Sequence, residues 1–120
     1  MPGTAYITMM VPDHALRLAH EVATNMDFTV QRCADWQLEV RRGSLVASIF
    51  VGAFVAYCDF RLTVVMPGDG TTHLVLERNS PWWTGFIGVS RVKRAAQELA
   101  DALGNAIYGA GGQILSRQDF

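Results

Sequence analysis

This chain of 120 residues is short of charge: 18% of its residues are Asp, Glu, Lys or Arg, against about 25% in an average soluble domain. The formal net charge is −1, which gives no general attraction to nucleic acid or to an acidic membrane. Half of the residues are hydrophobic, and that excludes a disordered chain. There are only two cysteines, Cys33 and Cys58, so a disulfide framework is excluded. No C-x-x-C or H-x-x-x-H spacing occurs, which removes the usual ligand sets for zinc. The start, Met1-Pro2-Gly3-Thr4, lacks a basic segment followed by an apolar run, so no secretory signal is expected. The uncharged run 43–58 is shorter than the roughly 20 residues that cross a bilayer.

What is present is amphipathic pattern. Residues 5–11 read as a strand ended by Pro12, and Asp13 is a suitable N-cap for a helix reaching about Asn25. Ala15, Ala19, Val22 and Met26 mark its inner stripe. Phe28 and Val30, then Trp36, Leu38 and Val40, alternate with polar residues as a half-buried hairpin. The run 45–57 is expected to be a strand, with Gly52 at a bend; a short buried helix is the alternative. Phe60, Leu62, Val64 and Met66 alternate next, Pro67-Gly68-Asp69-Gly70 is a turn, and Leu74 and Leu76 point inward from another strand. Ser90 is expected to cap a last helix reaching about Tyr108, with Val92, Ala96, Leu99, Leu103, Ala106 and Ala110 as its stripe, stopped by Gly109-Ala110-Gly111-Gly112.

The expected fold is α+β: a two-layer sandwich in which a mostly antiparallel, curved sheet carries an N-terminal and a C-terminal helix on one face. One domain spans 1–112, and 113–120 is expected to be a loose tail. The order β-α-β-β-β-β-α resembles that of the TATA-binding-protein half-repeat, shared by helix-grip ligand carriers. The likeness is one of element order. Cys33 falls on the polar face and Cys58 on the apolar face, so the expectation is two free thiols in a reducing, cytoplasmic setting.

The unusual segment is 79–90, Asn-Ser-Pro-Trp-Trp-Thr-Gly-Phe-Ile-Gly-Val-Ser. It has no charge where a connection is normally polar. Trp82 and Trp83 are adjacent, so one is expected to pack and the other to stay partly outside, beside Phe86 and Ile87. Arg91, Lys93 and Arg94 follow, in what reads as the first turn of the helix. Cations are unfavourable there by a few tenths of a kcal/mol each, and an anionic partner would relieve them. These residues are the candidate binding site: Trp82, Trp83, Phe86, Ile87, Arg91, Lys93 and Arg94. The function expected is a small non-enzymatic binding domain for a protein partner, a second copy of itself included, or for a lipid-like ligand or membrane surface.

Two other readings compete. The outward strand residues Gln37, Glu39, Arg41, Arg61, Thr63, His73 and Glu77 could form a nucleic-acid face, but their mixed sign argues against it. Cys58, Asp59 and His73 are the only candidates for a nucleophile set, and neighbours on a strand point to opposite faces. No catalytic residue, metal or cofactor is expected.

Overall fold

The chain is described from a computed structural model, which covers residues 3–42, 58–78 and 86–119. The elements are β1 (Gly3–Thr8), α1 (Pro12–Asn25), β2 (Thr29–Ala34), β3 (Gln37–Arg42), β4 (Cys58–Val65), β5 (Thr72–Arg78), α2 (Phe86–Gly109) and β6 (Ile114–Asp119). The described strands form one six-stranded sheet in the order β2-β3-β4-β5-β1-β6, and every neighbouring pair is antiparallel. The expected α+β order is therefore present, followed by a sixth strand. The strand expected over 45–57 lies outside the described residues.

Alternation decides which face is covered. Leu38 and Val40, Phe60, Leu62 and Val64, and Leu74 and Leu76 are all buried. The register puts them side by side: Leu38 pairs with Leu62, Leu62 with Leu76, and Val64 with Leu74. The helices close over that face. From α1, Ala15, Ala19 and Ala23 are fully buried; methyl-sized side chains let the helix backbone come close to the sheet. From α2, Ala95, Leu99, Leu103 and Ile107 form the stripe. This stripe is turned from the expected one: Ala96 and Ala106 lie on its flank, and Ala110 is exposed beyond the helix end.

β1 contributes buried polar groups to this face, on Thr4, Tyr6 and Thr8. A buried polar group needs a partner, and each finds one. Thr4 donates to Asp119 Oδ1 at 2.7 Å, the Tyr6 hydroxyl donates to the Ala100 carbonyl at 2.8 Å, and Thr8 Oγ1 accepts the N–H of Met10 at 3.2 Å. Burial is the main reason that the Tyr6 phenol titrates above its ordinary value. These bonds tie the middle of the sheet to α2 and to the last strand.

The helix ends are built alike. After α1, Asp27 adopts φ 66°, the Asp27 N–H bonds to Thr24 O and the Phe28 N–H to Ala23 O. After α2, Gly111 takes φ 80°, with Gly111 N–H to Tyr108 O and Gly112 N–H to Ile107 O. Both are Schellman closures, which satisfy the last carbonyls and reverse the chain. Arg42 adds a second lock on α1, reaching the Met26 carbonyl at 3.2 Å with its guanidinium 4.5 Å from the Phe28 ring centre.

Three expectations are corrected. Asp13 is not the N-cap: Val11 holds that position without a side-chain bond, Pro12 starts the helix and Asp13 sits in the first turn. Proline suits the first helical position because its missing N–H would be unpaired there anyway. Ser90 does not cap the last helix either, since α2 already begins at Phe86. Residues 113–120 are not a loose tail: Ile114–Asp119 pairs with β1. Arg117 secures the strand, bonding Asp101 of α2 at 2.9 Å and lying 5.5 Å from the Tyr6 ring centre. The sixth strand falls outside the element order on which the likeness to the TATA-binding-protein half-repeat rested.

The hold on β6 depends on pH. The Thr4 hydroxyl bond is the largest cause that lowers the Asp119 carboxyl below its usual value. A carboxyl depressed by folding stabilises the fold above the unfolded value and loses that contribution as pH falls through the folded one. Acidification below about pH 4 is therefore expected to release β6 before the rest of the sheet. Amide exchange would read this as faster exchange at Ser116–Gln118 than at β4. Equal protection of both strands from neutral pH to pH 3 would refute it.

Candidate functional site

The predicted site divides between what is described and what is not. Trp82 and Trp83 lie outside the described residues. Phe86, Ile87 and Arg91 belong to α2, but their side chains are also outside them. Lys93 and Arg94 are exposed and lie about two turns into the helix, because it starts at Phe86. The dipole acts only over the first turn, so the expected strain on these cations is absent. Their charges stand as solvated groups beside the buried Ala95.

Topology locates the ends of the uncharged segments. β3 ends at Arg42, directly opposite Cys58 where β4 begins. β5 ends at Arg78, opposite Phe60, so the chain leaves the described residues at 43 and at 79 from the same end of the sheet. α2 re-enters at that end. From Ala100, which meets Tyr6, back to Phe86 the helix covers about 21 Å. β1 covers about 10 Å from Tyr6 back to Gly3.

The opposite end holds a feature that the periodicity argument did not isolate. The exposed large hydrophobics among the described residues are Met9, Val11, Val65, Met66, Tyr108 and Leu115. All six fall where β1 and β4 finish, β6 starts and α2 stops. Met9 is 52% exposed, Val11 63% and Tyr108 80%, which no core role explains. Met9, Met10, Val11 and His14 line a cleft of ≈ 330 Å³ against residues 110–113. The cleft is rigidly founded. Thr72 donates to the Met10 carbonyl at 2.7 Å, the Met9 N–H bonds to Gln113 O at 3.3 Å, and the Gly111 turn closes the far wall. Leu115 is displayed by a bulge: Ile7 pairs with Ser116 and Thr8 with Ile114, leaving Leu115 unpaired between them. The available sequence signal was apolar residues running up to a proline, Met9-Met10-Val11 before Pro12 and Val65-Met66 before Pro67.

The catalytic alternative does not assemble. His73 pairs with Val65 at one end of β4, whereas Asp59 pairs with Arg41 at the other. Six strand residues separate the two positions by about 20 Å. Asp59 is buried and held by Arg41 Nε at 3.4 Å. The side chain of Cys58 is outside the described residues, and Cys33 is an exposed free thiol. Among the described residues no group of three His, Cys, Asp or Glu could hold a metal ion.

The outward residues do share one sheet face, as alternation required. Their charges alternate across the strands: Glu39 pairs with Arg61, and Arg61 with Glu77, while Arg41 is bonded to Glu39 at 2.8 Å. Such a ladder neutralises itself and offers no track of cations to a phosphate backbone. Arg61 Nε is the one buried side-chain polar atom without a hydrogen bond among the described residues; we have no physical account of it. No described helix is long and apolar enough to cross a membrane. Comparison with known proteins found no matching family model and no matching curated protein.

Proposed function

We propose that the chain is a non-enzymatic interaction domain that binds a protein partner through an apolar surface. The observation that carries this reading is the gathering of Met9, Val11, Val65, Met66, Tyr108 and Leu115 at one end of the sheet, around the cleft between the start of α1 and the end of α2. Exposed apolar groups confined to one region favour association, since covering them removes them from water. Methionine suits such a surface because its flexible thioether adapts to the shape it meets. The partner class includes a second copy of the chain.

A second reading keeps the segment around Trp82 and Trp83 as the contact, for a protein or a lipid-like ligand. It is favoured by the topology at the other end of the sheet, where the uncharged stretches 43–57 and 79–85 both leave. Exposed Lys93 and Arg94 would sit near an anionic group there.

One experiment separates them. Met9→Ser combined with Tyr108→Ser is expected to leave the fold intact, because both side chains are largely in solvent, and to weaken self-association or partner binding about tenfold or more. Sedimentation over a range of concentrations reads the first, and titration against vesicles of neutral and anionic lipid reads the second reading. Vesicle binding abolished by Trp82→Ala with Trp83→Ala, together with self-association untouched by the serine variant, would transfer the function to the tryptophan segment. A monomer at all concentrations would remove the second copy as the partner, and an absence of vesicle binding would remove the lipid-like ligand.

A further inference from the structure

A second surface lies along the other flank of α1. β2 is the outermost strand of the sheet among the described residues, and all of Thr29–Ala34 except Val30 is exposed. An edge strand presents unpaired N–H and C=O groups to any extended chain that comes alongside. Above it runs a groove of ≈ 380 Å³, lined by Asp13, Leu16, Arg17 and His20 of α1 with Arg32 and Leu38 of the sheet. Leu38 is almost wholly buried and Leu16 packs against the core, so the floor is apolar. Arg32 pairs with Leu38 and so stands on the same sheet face, turned toward the helix. Its guanidinium is fixed by the carbonyls of Ala34, at 3.3 Å, and Asp35, at 2.7 Å. Arg17 is exposed and forms no ion pair among the described residues. With one carboxylate, Asp13, against the two guanidinium groups of Arg17 and Arg32, the charged groups of the rim are mostly cationic.

We infer that this groove binds an extended acidic peptide segment, which adds to β2 as a further strand and places its carboxylates on Arg17 and Arg32. The geometry is that of strand addition beside a helix. Main-chain bonds to the edge supply affinity, and the alternate side chains that face the helix are the acidic ones, which reach Arg17 and Arg32 across the groove. The bulge between Arg32 and Ala34 limits the pairing register to Thr29–Arg32. Charge selects the occupant. A second copy joined edge to edge would gather Arg17 and Arg32 from both chains along one seam, and like charges brought together across a strand pair are destabilising.

The test is fluorescence anisotropy with a labelled hexapeptide that alternates valine and glutamate. Three comparisons accompany it: the valine–lysine peptide, the acidic peptide N-methylated at alternate residues, and the Arg17→Glu protein. Arg17 is exposed, so the variant keeps its fold, and a circular dichroism melt verifies this. The acidic peptide is expected to bind, and in an amide NMR spectrum of the protein its addition is expected to shift only Thr29–Arg32 and the flank of α1. Each of the three changes is expected to weaken it about tenfold or more. Equal binding of the lysine peptide, or undiminished binding after N-methylation, would overturn the inference. So would no binding at millimolar peptide, or an equal response to a single-stranded oligonucleotide of the same charge.

Discussion

Phe60→Ala is expected to cost about 3–5 kcal/mol of stability, the usual range for emptying a buried aromatic site. Phe60 is 1% exposed and stands on the central strand β4, between Val40 and Arg78 in register. Its ring lies 6.0 Å from that of Phe28, inclined at 50°, a tilted pairing that adds to simple burial. Phe28 in turn ends the Schellman turn after α1 and carries Arg42 on its face. Emptying this site therefore loosens the helix end as well as the sheet. A domain of this size has roughly 5–15 kcal/mol in total, so the variant should sit near its unfolding threshold. Urea denaturation measures it, with Val65→Ala on the same strand as the control. Val65 is 43% exposed, and its truncation should change stability by no more than about 0.5 kcal/mol. Equal losses from both variants would mean that the packing described here is wrong.

Gly104→Ala is expected to destabilise, against the usual rule for helices. In a helix interior alanine is better than glycine by about 1 kcal/mol. Here an added Cβ would stand 2.5 Å from the Tyr6 hydroxyl oxygen and 3.0 Å from its Cζ. Tyr6 is buried and bonded to the Ala100 carbonyl, so the ring cannot swing aside without breaking that bond. Overpacking of this kind costs about 1–3 kcal/mol, and the lost hydrogen bond adds about 1 kcal/mol. The net result is a loss of roughly 1–3 kcal/mol after the helix gain is deducted. A double-mutant cycle with Tyr6→Phe isolates the cause, because removing the hydroxyl should recover most of the loss in Gly104→Ala. Additive effects would show that the glycine is there for some reason other than the close approach of β1.

Much of the fold was legible because its signals are local. Alternation in Leu38–Val40, Phe60–Val64 and Leu74–Leu76 identifies three strands and their buried side together, and the register then aligns them. The stripe of Ala15, Ala19, Val22 and Met26 announces α1, and the glycines after Tyr108 announce a helix end. Signals that depend on a distant partner were not legible. β6 is mostly polar and its alternation is broken at Leu115; it is a strand because Thr4 and Asp101 meet Asp119 and Arg117. The start of α2 was placed too late, since Gly88 and Ser90 look like a boundary although the helix passes through both. That shift removed the argument drawn from the helix dipole at Lys93 and Arg94. The apolar end was hidden for a similar reason: Met9, Met66, Tyr108 and Leu115 are far apart in the chain, and each alone is an ordinary exposed residue.

By itself the sequence determined the class of fold, the buried face of each central strand, the polar, mixed-charge character of the other face, and the lack of the familiar zinc spacings. Those follow from spacing of 2 or 3.6 residues along the chain, which needs no partner to be read. Only the tertiary structure decided that the last residues close the sheet, that His73 and Asp59 lie at opposite ends of it, and that six scattered hydrophobics share one end. It also decided that α1 and the outermost described strand enclose a groove lined by Arg17 and Arg32. Each of these depends on which strands become neighbours, and antiparallel pairing sets that through contacts between residues far apart in sequence.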